Sequence, residues 1–207
     1  MNSLIRPAVV LFLVMTAITG VVYPLLVTGI GQVLFPAQAG GSLLVRDGKA
    51  FGSSLIGQPF SDPKYFWSRP SATTPQPYNG TGSTGSNLGP LNPALTDAVK
   101  SRIDALHATD ASNKAPIPAD LVTASGSGLD PDISLAAAYY QAPRIARVRG
   151  LSLDGVRNLI AAHAKGRVLG LFGDPRVNVL ELNMALDRSQ VSNSATTKSQ
   201  ATTPRST

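Results

Sequence analysis

The chain has 207 residues, with 18 Lys and Arg against 12 Asp and Glu for a formal charge of +6; 14% of residues are charged and 43% hydrophobic. It has no cysteine, which excludes disulfide frameworks, thiolate metal sites and a cysteine nucleophile. Its two histidines, His107 and His163, exclude a multi-histidine metal site, while 19 glycines and 16 prolines predict a chain rich in turns and poor in long helices.

The first element is an apolar run. No charged residue occurs between Arg6 and Arg46, and residues 8–28 are almost wholly apolar. A bilayer core about 30 Å thick needs about 20 helical residues, so this stretch is long enough to span it. Backbone groups in lipid must satisfy one another, which requires a helix. Pro24 lacks a donor and predicts a kink near the far end. Thr16 and Gly20, four apart, share a face with Ala17 beside them, and small residues let a second membrane helix approach closely. With Pro24 they are the candidate helix-packing residues. A cleaved secretory signal is the alternative: Arg6 supplies a short basic start, and Ala37-Gln38-Ala39 has the form of a cleavage site, but the apolar run exceeds a typical signal core. Arg6 and the terminal amine put the N-terminus in the cytoplasm and the bulk of the chain outside, by the positive-inside rule.

The expected organisation is a short cytoplasmic start over residues 1–7, a transmembrane helix and its exit over 8–34, one small extracytoplasmic α+β domain over 35–188, and a disordered tail over 189–207. Leu43-Leu44-Val45 and Ala50-Phe51 flank Asp47-Gly48, a hairpin signal. Phe60, Tyr65, Phe66 and Trp67 form an aromatic cluster expected in the core. Residues 71–93 carry no charge and are dominated by Ser, Thr, Gly, Pro and Asn, which predicts a long loop. Asn92 and Pro93 then open a helix whose Leu95, Val99, Ile103 and Leu106 share one face, with His107 at its end. The Ser125-Gly126-Ser127-Gly128-Leu129-Asp130-Pro131 run lacks a P-loop ending and is read as a turn leading to a helix N-terminus. An alanine-rich helix over 133–141 is expected to stop at Pro143. Ser152 caps a further helix, with Val156 and Ile160 inward and Gly166 just past its end. Asp174-Pro175 opens a last amphipathic segment through Val177, Leu180 and Met184, read as helix rather than strand. Seven basic residues against two acids over 144–176 leave a local charge of +5: a solvated face, or one that meets an acidic partner or phosphate. The last 19 residues include ten Ser or Thr and no aromatic, a composition that predicts disorder. No spacing of Ser, His, Asp or Glu forms a catalytic constellation.

Several segments together resemble the C subunit (KdpC family) of the Kdp-type potassium-transporting P-type ATPase. They are Gly57-Gln58, Tyr65-Phe66-Trp67-Ser68-Arg69-Pro70-Ser71, Ser86-Asn87-Leu88-Gly89-Pro90 with Asn92-Pro93, residues 121–134, Tyr140-Gln141-Ala142-Pro143-Arg144, and Gly173-Asp174-Pro175-Arg176-Val177-Asn178-Val179-Leu180-Glu181-Leu182-Asn183. They run in the family's order behind one N-terminal span, over roughly residues 4–187. The resemblance implies a non-catalytic accessory subunit in the bacterial inner membrane. Its implied partners are a channel-like potassium-translocating subunit and an ATP-hydrolysing P-type subunit, with membrane lipid around the helix and no nucleic acid. It implies a part in assembly and a chaperone effect that raises the ATP affinity of the P-type subunit. Potassium is the transported ion, and ATP enters through the partner. The implied nucleotide contacts are Gln141 and Arg144. Membrane sidedness opposes that role and favours docking on the partner's external face. A membrane-anchored or secreted extracytoplasmic hydrolase or binding protein is the alternative from another class.

Overall fold

The computed structural model describes residues 2–46 and 48–189. The tail expected to be disordered therefore lies outside the described residues, apart from Ser189. The chain separates into two compact units, Met1–Ser53 and Ser54–Thr207.

The first unit is led by a nearly continuous helix: α1 (Asn2–Ala17), a π-helical turn (Ile18–Val22), and α2 (Tyr23–Leu34). Leu4–Leu34 is apolar enough to cross a membrane, and its 31 residues rise about 46 Å, more than a hydrocarbon core about 30 Å thick. At Pro24 the helix widens instead of breaking. An α-helical Pro24 would clash with the Gly20 carbonyl four residues back. In the π turn the Tyr23 N–H reaches the Ile18 carbonyl, five residues back, and absorbs that misfit. The short α3 (Pro36–Ala39) follows, then a hairpin of β1 (Leu43–Arg46) and β2 (Lys49–Ser53). The hairpin signal at Asp47-Gly48 thus falls between paired strands, with a register shift between Leu44 and Val45.

The second unit is an α+β body. Residues 54–92 contain no helix or strand, and the uncharged stretch is held by its own polar side chains. The Ser71 hydroxyl donates to the Gly128 carbonyl at 2.7 Å and accepts the Tyr78 N–H at 3.0 Å. The Thr84 N–H donates to the Ser127 carbonyl at 3.0 Å. Two glycines permit this close approach. A Cβ on Gly57 would lie 2.3 Å from the Tyr78 ring. One on Gly128, at φ +67°, would lie 2.6 Å from the Thr73 methyl.

Helix α4 (Pro93–Thr109) begins as predicted: the Asn92 side chain accepts the Ala94 N–H at 3.0 Å, and Leu106 is buried. After a 3-10 turn (Ala119–Leu121), the 125–131 run leads into strand β3 (Asp132–Ser134), not directly into a helix. Ser134 then caps α5 (Leu135–Arg149), accepting the Ala137 N–H at 3.0 Å. The helix does not stop at Pro143. Pro143 is exposed, while its neighbours Gln141, Ala142, Arg144, Ile145 and Ala146 are buried. That packing overrides the lost bond, and Asn113 donates to the Tyr140 carbonyl at 2.9 Å beside it. At 17 and 15 residues, α4 and α5 are longer than the glycine and proline content predicted.

Gly150 ends α5 in the left-handed region, and Ser152 caps α6 (Leu153–His163). The chain then enters strand β4 (Ala164–Lys165) at once, before Gly166. The last amphipathic segment divides into strand β5 (Arg176–Asn178) and a helix, α7, over 179–189. Alternation holds through Val177, and then the Asn178 side chain accepts the Glu181 N–H at 3.0 Å and starts the helix. Strand β5 is central in an antiparallel sheet of order β3-β5-β4. Phe66, Ile133, Ile145, Ile160, Val177 and Leu182 are among the fully buried residues of the core between this sheet and the helices.

Candidate functional site

The polar centre of the body is built around the extended Tyr65-Phe66-Trp67 segment. Two side-chain amides hold its backbone as a neighbouring strand would. The Phe66 N–H donates to Asn183 Oδ1 at 2.9 Å, and Asn183 Nδ2 donates to the Phe66 carbonyl at 3.0 Å. The Trp67 N–H donates to Gln141 Oε1 at 2.7 Å, and Gln141 Nε2 donates to the Trp67 carbonyl at 3.2 Å. Helices α5 and α7 thus each supply one amide clip. Asn183 has no catalytic or ligand pattern around it. Only its place four residues after Val179, on the inward face of α7, pointed to burial.

The Phe66 ring is fully buried between these clips, as expected for the aromatic cluster. Phe60 and Trp67 are partly buried against the core. The rings of Phe60 and Tyr65 lie 5.6 Å apart.

The two residues implied as nucleotide contacts, Gln141 and Arg144, are one turn apart on α5 and touch. Arg144 Nη2 donates to Gln141 Oε1 at 2.8 Å. Arg144 Nη1 donates to the carbonyls of Pro63 and Tyr65, the latter at 3.1 Å. The guanidinium lies 5.1 Å from the centre of the Trp67 ring. Gln141 is 1% exposed and Arg144 3%. Burial pulls the Arg144 guanidinium down to about 10, with Asp110 opposing the shift. It still carries its charge at neutral pH, solvated by carbonyl dipoles and an aromatic face.

Arg149 extends this arrangement. It pairs with Asp187 at 2.9 Å, donates from Nε to the Lys64 carbonyl at 2.7 Å, and lies 4.7 Å from the Tyr65 ring centre. The Tyr65 hydroxyl donates to Asp187 at 3.1 Å. Two cations of α5, Arg144 and Arg149, are therefore locked together with Tyr65, Trp67 and Asp187 of α7.

On the neighbouring surface is a cavity of about 230 Å³, lined by Phe60, Trp67, Arg69, Tyr78, Arg102 and Leu106 among others. Arg69 pairs with Asp130 at 2.8 Å. The Tyr78 hydroxyl donates to the Arg69 carbonyl, and burial pushes it up to about 12. Arg102 donates to the Val122 carbonyl at 2.7 Å, and burial lowers its pKa. Among the described residues, no group of three His, Asp or Glu side chains gathers to hold a metal.

In the first unit, Thr16 and Ala17 close α1 and Gly20 sits in the π turn. A Cβ built on Gly20 would meet nothing within 4 Å.

Among the described residues, one helix long and apolar enough to cross a membrane precedes an α+β body, and that combination defines the class. Comparison with known proteins narrows it. The family model described as K+-transporting ATPase, c chain (KdpC) matches residues 5–188. A protein of Variovorax paradoxus (strain S110) named potassium-transporting ATPase KdpC subunit is 64% identical over 189 residues, covering 91% of this chain and 98% of its own. The protein of the same name from Polaromonas naphthalenivorans (strain CJ2) is 66% identical over 187 residues, covering 90% and 95%. The chain belongs to the KdpC family, accessory subunits of the K+-transporting ATPase.

Proposed function

We propose that this subunit lies in the bacterial inner membrane with its N-terminus in the cytoplasm and its α+β body outside. There it assembles with a channel-like potassium-translocating subunit and an ATP-hydrolysing P-type subunit. The observation that carries the reading is the family match over residues 5–188, which takes in both the apolar helix and the whole body. The charge pattern supports the orientation: Arg6 stands at one end of the span and no charge follows until Arg46.

In this reading the body is non-catalytic, and its chaperone effect on ATP affinity is exerted through subunit contact. The buried contacts of Gln141 and Arg144 support docking over direct nucleotide recognition. Both polar atoms of Gln141 have partners within the body, and Arg144 donates to three acceptors there. The pair shapes the Trp67 surface on which a partner would rest.

Affinity purification of the full chain from membranes tests this. Two larger subunits should accompany it, and the preparation should hydrolyse ATP in response to potassium. Recovery of the chain alone, under conditions that preserve other membrane complexes, would remove the subunit role. A phosphatase reporter fused after Asp187 tests sidedness and should be active only outside the cytoplasm.

A further inference from the structure

The cavity beside Trp67 combines apolar walls with one cation that nothing in the body matches. The rings of Phe60, Trp67 and Tyr78 line it, and Pro59, Pro70 and Pro77 add further flat faces. The hydroxyl and indole groups along it are already engaged. Ser68 donates to the Gln58 carbonyl at 2.8 Å, Ser71 to the Gly128 carbonyl at 2.7 Å, Tyr78 to the Arg69 carbonyl, and Trp67 Nε1 to the Asp62 carbonyl at 3.1 Å.

Two arginines line the same cavity. Arg69 is matched by Asp130 at 2.8 Å. Arg102 is not. Its Nη1 donates to the Val122 carbonyl at 2.7 Å, and among the described residues no carboxylate meets it and the rest of its fork has no acceptor. It is also not a cation left in water, being half-buried on α4, where burial lowers its pKa. Elsewhere in the body, Arg147, Arg149 and Arg176 each have a carboxylate at 2.9 Å.

These features describe one kind of ligand. A planar fork of free donors takes a carboxylate, and an apolar surround strengthens that bond. Aromatic and proline walls take a flat apolar body, since ring pairs gain more than their buried area. The cavity, at about 230 Å³, has room for ~8 groups of water size, each about 30 Å³. That is a single ring with a short acidic arm. No side chain within a polypeptide joins a ring to a carboxylate. An inserted phenylalanine would leave Arg102 unmatched, and an inserted glutamate would leave the walls wet.

We propose that this cavity is a binding site for a small aromatic carboxylate, its ring against the Phe60, Trp67 and Tyr78 walls and its carboxylate on Arg102. The site belongs to the body alone and does not rest on the subunit reading.

The test is titration of the full chain in nanodiscs with 3-phenylpropionate, followed by the fluorescence of Trp67, the chain's single tryptophan. A saturable change is expected. The neutral 3-phenylpropionamide should bind about tenfold more weakly or worse, because it keeps the ring and loses the charge. Arg102→Met keeps the length of the side chain and should weaken the acid by a similar factor without affecting the amide. Ala105→Phe, at an exposed position that also lines the cavity, leaves the Arg102 bond to Val122 intact and should block both ligands. Octanoate, an acid of similar size without a ring, should bind more weakly than 3-phenylpropionate. A change that does not saturate, an amide as tight as the acid, or wild-type affinity in either variant would overturn the site. Octanoate binding more tightly than the ring acid would overturn the aromatic ligand and assign the cavity to fatty chains.

Discussion

Replacing Gln141 by alanine should be among the most destabilising single changes in the body. The residue is 1% exposed, and its Oε1 accepts from the Trp67 N–H at 2.7 Å and from Arg144 Nη2 at 2.8 Å, while Nε2 donates to the Trp67 carbonyl at 3.2 Å. Alanine removes the partner of two part-buried backbone groups and one buried guanidinium nitrogen. Each buried group left unpaired costs about 1–3 kcal/mol, more when charged. Local relaxation recovers part of that sum, so a loss of about 3–5 kcal/mol is expected. Gln141→Glu keeps both acceptor contacts and sets a carboxylate against Arg144, but loses the donor to the Trp67 carbonyl, so about 1–2 kcal/mol is expected. Urea unfolding of the detergent-solubilised full chain, followed by tryptophan fluorescence, measures both. Trp67 is the chain's single tryptophan, so the signal comes from the site itself. A Gln141→Ala loss below about 1 kcal/mol, or a Glu variant weaker than the Ala variant, would refute the amide clip as the origin of the order around Trp67.

Asn183→Ala removes the second clip, and it should cost about 2–4 kcal/mol by the same unfolding assay, because both Phe66 backbone groups lose their partner. Tyr78 carries a pH signature. Its folded pKa of about 12 stands above the ordinary value of 10, so the folded state holds more protons between those values. The contribution of Tyr78 is complete below pH 10 and is lost as pH rises towards 12. Tyr78→Phe should be less stable at pH 7, since it lacks the bond to the Arg69 carbonyl, yet should lose stability less steeply above pH 10 in parallel unfolding series. In the first unit, Gly20→Leu meets open space, so insertion should be unchanged while recovery of the intact complex from membranes falls several-fold.

Much of the fold was legible because it is written in local chemistry. The apolar run, Asp47-Gly48, Asn92 and Ser152 mark a long apolar helix, a hairpin and two helix starts by rules that act over a few residues, and the structure places each feature there. Pro143 and the 174–184 segment were misread for a shared reason. Each is decided by partners distant in sequence: the buried face of α5 in one case, the pairing of β5 between β3 and β4 in the other. The site was legible only as composition. Aromatics at 60–67 and arginines at 144–149 are visible in sequence, but their union needs the chain to return across more than 70 residues, as in the Trp67 bond to Gln141. Asn183 closes an even longer loop, to Phe66. Nothing local distinguishes it from any helix-face asparagine.

The basic excess over 144–176 shows how distance in sequence conceals function. Read linearly, seven cations and two acids make a surface that seeks phosphate or an acidic partner. In three dimensions the acids come from elsewhere. Asp110 pairs with Arg147, Asp187 with Arg149, Glu181 with Lys165 and Asp132 with Arg176, while Asp154 and Asp174 take Arg157 and Arg167. Six of the seven cations thus have a carboxylate within 4 Å, and four of those carboxylates lie outside the stretch. The seventh, Arg144, is buried among carbonyls and the Trp67 ring, and the protein lowers its pKa to about 10 without neutralising it. Little free positive charge then remains along this stretch to steer a polyanion. What the same stretch leaves exposed is apolar: Val168, Leu169, Leu171 and Phe172, on a turn with Leu169 and Gly170 at positive φ.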